Sequence, residues 1–567
     1  MGLSEMVAVG RGDGVPDLLL ANARIVNVFN GDIEYANIAV CEGRIAGVGD
    51  HKKGRNIIDL KGDYVAPGLI NGHTHIESSM LHPLRYAEAV VPRGTTAVVT
   101  DLHEIANVCG ISGIKFIDHW ADELPLDMFF MLPSCVPATH LETSGAEIGV
   151  SQIAMLKRMH RVIGLGEMMN FPGVIGGSED VLAKITAMSS RVIDGHALGV
   201  SGKELSAYIV AGIRSDHECT KLAEASEKLR RGMYIMIREG SSEKNLQELL
   251  PLVTDKTYKR CMFVVDDRSC SDLLSDGDID GVVRKAIKLG LDPVRAIQLA
   301  TINTAEYFRL HDRGAVAPGY MANLITMGSL ERLEIKKVFH YGRLVADGGS
   351  LVIPMPAVMA VELTGTVKIK RLTEDALQLR TRSDYYPVIQ VVPGQIVTKK
   401  RMVKIAIDNG VAQPDAFKDL LKLVVVERHK ATGNVGVALV KGFGLKHGAI
   451  ASSVAHDSHN IVAVGVMDDD IITAVKEIQR MEGGLVVCSQ GKVLASLPLP
   501  VAGLLSPEPL KQVVRKFNQV EKAAAGLGTL PPSPFALLSF LALPVIPELK
   551  LTDKGLVDVA AFQIITP

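Results

Sequence analysis

Between residues 18 and 58, short runs of β-forming residues alternate with turn chemistry. The runs are 18–20, 23–26, 36–40 and 44–48, punctuated by Asn30-Gly31-Asp32 and Glu42-Gly43. Aliphatic runs of this length around Asn-Gly and Glu-Gly predict antiparallel hairpins and a small sheet. The same texture returns at 322–326 and 338–345, so the second set is expected to complete the first around an inserted region.

The inserted region repeats one unit: a short apolar run, a polar residue at its end, then helix-forming sequence. The runs are 65–75, 95–101, 128–132, 161–167, 191–196, 212–217, 233–238 and 262–267, with helical stretches such as 222–231 and 282–289 between them. Eight such units in about 240 residues predict a closed (β/α)8 barrel. The sixth run is the weakest strand of the set. A third region with strands and glycines of its own starts near Pro354. At 567 residues the chain is too long for one hydrophobic core. The expected fold class is α/β, with a TIM-like barrel over 65–312. A small β-sandwich domain is expected from the flanking segments 1–64 and 313–353, and an additional C-terminal α+β domain over 354–567.

Composition narrows the partners. Lys and Arg number 61 against 63 Asp and Glu, a formal net charge of −2. That balance offers no electrostatic reason to bind nucleic acid or an anionic membrane, and a small neutral ligand suits it better. The 7 cysteines are scattered with no C-x-x-C pair, which points to reduced thiols and a cytoplasmic location. The apolar stretch 535–546 is interrupted by Pro544 and is expected to be a core element, since a membrane span needs about 20 residues.

The polar residues at the run ends carry the chemistry. His73 and His75 are two apart at the end of the first run, so on a strand both imidazoles project to one side. Reacting groups of a (β/α)8 barrel sit at the C-terminal ends of its strands. Those ends supply His103 just after the second run, Glu167 at the fourth, His196 at the fifth, His217 at the sixth, and Asp266 or Asp267 at the eighth. Four of these imidazoles with two carboxylates are a donor set for two divalent ions, with one carboxylate bridging. Such a pair lowers the pKa of a water held between the ions to near neutrality, so the expected reaction is hydrolysis at a carbon bonded to N or O. Asp266 is preferred to Asp267 because it ends the apolar run; it is the expected proton acceptor, with His103 beside the nucleophile. Glu77, Glu218 and Asp267 are the expected substrate contacts, although Glu77 and Glu218 could instead orient a histidine, the more favoured role for Glu218. Arg238 and Ser241 are weaker candidates.

The segment Pro67-Gly68-Leu69-Ile70-Asn71-Gly72-His73-Thr74-His75 resembles the first-strand signature of the amidohydrolase superfamily. Glu77-Ser78-Ser79, Asp101-Leu102-His103-Glu104, Ser215-Asp216-His217-Glu218 and Ala455-His456-Asp457-Ser458-His459-Asn460 resemble the adenine deaminases within it, over nearly the whole chain. The resemblance implies deamination of adenine to hypoxanthine and ammonia in purine salvage, at a dinuclear centre with Mn favoured over Fe or Zn. It implies metal ligands His73, His75, Glu167, His196, His217 and Asp266, a homodimer, and a C-terminal domain of the adenine deaminase type. The loop 456–460 is expected to face the mouth of the site. Two departures stand out: Ser269 and Asp278 occupy positions where the family usually has histidine, in a loop expected to help wall the pocket. Another purine, or a cyclic amide, is the alternative substrate. A catalytically inactive binding homologue is the remaining alternative.

Overall fold

The computed structural model describes residues 2–358 and 360–565. The flanking segments form one nine-stranded sheet. Tyr64–Pro67 joins the two halves, pairing parallel with Leu18–Val26 and antiparallel with Leu324–Met327. The run 65–75 is therefore two strands. Tyr64–Pro67 belongs to the flanking sheet, and Leu69–His75 is the first barrel strand. The break falls at Gly68, where a Cβ would lie 2.1 Å from Thr96 Oγ1 of the next strand, so only glycine lets the chain pass so close.

The barrel strands follow the eight predicted runs. After Leu69–His75 come Thr95–Asp101, Asp127–Leu132, Val162–Met168, Val192–Gly195, Ser215–Asp216, Tyr234–Arg238 and Cys261–Val264, with Asp266–Asp267 as a second piece of the eighth. They make a curled parallel sheet of six strands and another of three. The break in the eighth strand links the two: Cys261–Val264 pairs with the seventh strand, and Asp266–Asp267 with the first. At the other seam, between the fifth and sixth strands, the Arg214 N–H donates to Ile193 O at 3.2 Å. The sixth strand is two residues long, matching its weak sequence signal. Ile70, Ala97, Val99, Met131, Met236, Met262 and Val264 form one buried apolar cluster at the barrel interior. The polar residues lie beyond it at the strand ends.

The C-terminal region centres on an eight-stranded sheet that includes Leu420–Val426, Ile461–Gly465 and Ala449–Ser452, packed against the helix Asp468–Arg480. It sits directly on the barrel. Thr143 N donates to Asp553 Oδ1 at 2.9 Å, Asn460 Nδ2 to Thr143 O at 2.8 Å, and Trp120 Nε1 to Glu362 Oε1 at 3.1 Å. The helix Pro534–Phe540 covers the first half of the apolar stretch 535–546, with Phe535, Leu538 and Phe540 buried. No helix among the described residues is long and apolar enough to cross a membrane.

Lys550 is fully buried, and its Nζ donates to Ile396 O and Phe540 O, each at 2.8 Å. Burial pushes its ammonium down to about 7. An unfolded lysine holds its proton to about pH 10. Above pH 7 the unfolded chain therefore binds a proton that the folded chain lacks, and stability rises with pH until the unfolded group titrates. Urea denaturation should show a rise on the order of 2 kcal/mol between about pH 7 and pH 9 that K550M flattens. Parallel profiles for the two proteins would contradict this.

Candidate metal centre

The predicted strand-end residues meet in one buried cluster. The Glu167 carboxylate lies at its middle. Its Oε1 is 3.3 Å from His75 Nε2, 3.9 Å from His73 Nε2 and 3.5 Å from His103 Nδ1. Its Oε2 is 2.6 Å from His196 Nδ1 and 3.1 Å from His217 Nε2. Asp266 Oδ1 closes the first group, 3.1 Å from His75 Nε2 and 3.5 Å from His73 Nε2. Two donor sets thus share one carboxylate, with one oxygen turned to each.

Local backbone features aim these groups. Asp266 has φ 59°, in the left-handed region that aspartate tolerates better than most residues. The turn there interrupts the eighth strand and points the carboxylate at the histidine pair. Arg238 Nη1 holds it from the other side, donating to Asp266 Oδ2 at 2.7 Å. Asp101, at the end of the second strand, steadies two elements: its Oδ2 accepts from Glu167 N at 2.8 Å and its Oδ1 from His103 N at 3.2 Å. Gly166 makes that approach possible, since a Cβ there would lie 1.9 Å from Asp101 Oδ2.

Burial pushes the Glu167 and Asp266 carboxyls up, but the surrounding imidazoles, joined by Arg238 at Asp266, outweigh it and hold both well below the carboxylate range. Burial pushes His217 down, while Glu167, Asp266 and Glu218 raise it to about 9. Both ring nitrogens of His73, and the Nδ1 atoms of His75 and His217, are buried without a hydrogen-bond partner. A buried polar atom left so costs about 1–3 kcal/mol. Separations of 3.1–3.9 Å between His73 or His75 Nε2 and the carboxylate oxygens suit donors that share a cation about 2.1 Å from each. His73 with His75 and Asp266, and His73 with Glu167 and His217, each place their donor atoms within 4.8 Å of one another, as does His196 with His217 and Glu218. The residues fit a pair of divalent ions.

A narrow cavity opens over the cluster. Glu218, Arg238, Glu243 and Asp267 line one part of it; Met169, Ile396, Phe540, Leu543 and Ile546 form an apolar wall. Asp267 is turned from the donor cluster: it accepts from Ser78 Oγ, and its Oδ2 lies 3.9 Å from His456 Nε2. Glu218 is bound by Arg238 and lies 3.5 Å from His217 Nε2. Ser241 accepts from Ser269 N at 2.8 Å and lies with Ser269 in a wider adjoining cavity.

Two expectations need correction. Glu77 was expected to contact substrate, but it does not line the cavity: its Oε1 accepts from Ile105 N at 3.2 Å, and the side chain is buried beside Glu104. The short 3-10 helix Ile76–Ser79 turns the chain away from the pocket immediately after His75. Asp278 was expected to help wall the pocket, but it is fully buried and accepts from Asn71 Nδ2 at 3.1 Å and Thr95 Oγ1 at 2.9 Å, near the starts of the first two barrel strands. Of the two departures in that loop, only Ser269 reaches a cavity wall.

Sequence reasoning missed Glu104. It lies between His103 and the loop from the C-terminal domain: Glu104 Oε1 is 3.2 Å from His103 Nε2 and 2.6 Å from His456 Nδ1, and Oε2 faces His459 Nε2. Its sequence signals were its position next to His103 and its place in the Asp101-Leu102-His103-Glu104 motif.

The chain matches the amidohydrolase family over residues 64–345 and the adenine deaminase C-terminal domain over residues 395–563. An adenine deaminase of Dehalococcoides mccartyi (strain ATCC BAA-2266 / KCTC 15142 / 195) is 61% identical over 563 residues, 99% of each chain. Adenine deaminase 2 of Carboxydothermus hydrogenoformans is 47% identical over 564 residues, again 99% of each. A solved adenine deaminase structure aligns with TM-score 0.44 at 18% identity, covering 58% of this chain and 99% of its own. On the strength of the full-length relatives and the two matched domains together, the chain belongs to the adenine deaminase family of the amidohydrolase superfamily.

Proposed function

We propose that this chain, a hydrolase of C–N bonds, converts adenine and water to hypoxanthine and ammonia. The observation that carries the reading is the Glu167 carboxylate turned to both donor sets in a chain of this family. His73, His75 and Asp266 would hold one divalent ion, His196 and His217 the other, and Glu167 both; imidazole and carboxylate suit Mn, Fe and Zn, with Mn preferred here. When bound, such ions supply Lewis acidity and a nucleophilic water at neutral pH.

The chain's own groups do the rest. Met169, Phe540, Leu543 and Ile546 cover the flat faces of the purine, and Glu218 meets its polar edge. Water adds to C6, Asp266 takes its proton, and the proton passes to the departing amine so that ammonia leaves. Arg238, paired with both Glu218 and Asp266, fixes the angle between substrate contact and proton acceptor. His103, with Nδ1 3.5 Å from Glu167 Oε1 and 3.2 Å from Asp101 Oδ1, sits where it can steady the attacking oxygen.

Ammonia release from a panel of purines and cyclic amides tests this, using protein purified without added zinc and analysed for metal. Adenine should be preferred over other aminopurines by at least about tenfold in kcat/KM. Turnover of a hydantoin without turnover of adenine would overturn the assignment.

A further inference from the structure

Glu104 belongs to the barrel, yet two of the three imidazoles around it come from residues more than 350 positions later in the chain. His456 Nδ1 lies 2.6 Å from Glu104 Oε1, the oxygen that also meets His103 Nε2 at 3.2 Å. His459 faces the other oxygen, Oε2. The protonation of His459 is dictated locally: Ala455 N donates to its Nδ1 at 3.1 Å, so the ring proton sits on Nε2, toward Glu104.

The loop that carries both histidines is itself held from several sides. The fully buried Arg428 donates to His459 O, and its guanidinium also reaches Ala502 O at 3.1 Å. Ser539 Oγ accepts from His456 N at 2.9 Å, and Phe540 stacks on the His456 ring with centroids 4.9 Å apart. Asn460 Nδ2 donates to Thr143 O of the barrel at 2.8 Å. A loop this constrained delivers two ring nitrogens to fixed points.

We propose that the C-terminal domain is a working part of the active site, with His456 and His459 as positioning residues that hold Glu104 and, through it, the ring of His103. Without them Glu104 is a buried carboxylate with one partner, free to leave His103 and let its ring turn from Glu167. The inference rests on the role given to His103 above.

The test uses the geometry of amide side chains. An asparagine Nδ2 falls near the place of a histidine Nδ1, and a glutamine Nε2 near that of a histidine Nε2. His456→Asn and His459→Gln therefore return a donor to Glu104, whereas His456→Gln and His459→Asn place it one bond too far or too near. All four side chains are polar and similar in size, so a merely structural role would not separate them. The mismatched pair should lose about 10- to 100-fold in kcat for adenine with KM little changed. The matched pair should keep the larger share of kcat, and metal per chain should equal that of the unmodified protein in all four. Equal kcat in matched and mismatched variants, or loss of metal along with activity, would overturn the proposal. Turnover of adenine by the unmodified chain, measured alongside, reports separately on the proposed function.

Discussion

Glu167→Gln should lower kcat/KM for adenine by about 10³-fold or more, since a loss of several kcal/mol of electrostatic stabilisation corresponds to such a factor. The glutamine keeps the shape but not the charge. One of its two ends becomes an NH2 donor, facing either His75 and His73 or His196 and His217 across gaps of 2.6–3.9 Å. An amide cannot serve as a shared anionic ligand, so bound metal should fall from two ions per chain to one or none. Melting temperature should fall as well, because the imidazoles that outweigh the burial of this carboxylate lose their anionic partner. Metal analysis and steady-state kinetics on the same preparation check both parts. Two ions per chain with near-normal turnover would remove Glu167 from the centre of the site.

Chelation should abolish ammonia release and also lower thermal stability. Ligands that bind only the folded chain stabilise it by RT ln(1 + [L]/Kd), about 2.7 kcal/mol at a hundredfold excess over Kd. Here the effect has a structural reason. Without an ion His73 Nε2 is buried with no hydrogen-bond partner, and Glu167 and Asp266 sit among imidazoles with no cation to share. Mn2+ should restore activity and melting temperature together, by differential scanning fluorimetry and an ammonia assay. A chelated protein that melts as before would show that the cluster holds no ion in the folded state.

Much of the site was legible before the fold was known, for reasons that differ by residue. His73 and His75 could be paired because a strand has a two-residue period and the pair ends an apolar run. Glu167, His196 and His217 could be added because each closes or follows a run in a repeat whose strand ends converge. Asp266 was preferred to Asp267 as the end of an apolar run, and in the structure Asp266 faces His73 and His75 whereas Asp267 meets Ser78. The reason could not be read in advance: the eighth strand breaks, and Asp266 adopts a left-handed backbone to face the cluster. Glu77 misled because it follows His75 directly, and a short helical turn after the strand takes it off the cavity. Asp278 misled for a related reason: its loop dips back to the strand starts at Asn71 and Thr95.

The sequence by itself determined the repeating strand-helix unit, the flanking sheet and the set of donors at the strand ends. Those features depend on local periodicity and turn chemistry, which neighbouring residues specify. Tertiary structure decided what surrounds the donors. It brought Glu104 of the barrel to His456 and His459 of the C-terminal domain, closed the pocket with Phe540, Leu543 and Ile546, and buried Lys550 against two carbonyls behind that wall. Contacts between segments hundreds of residues apart leave no periodic trace in either segment, because they arise from how finished elements pack.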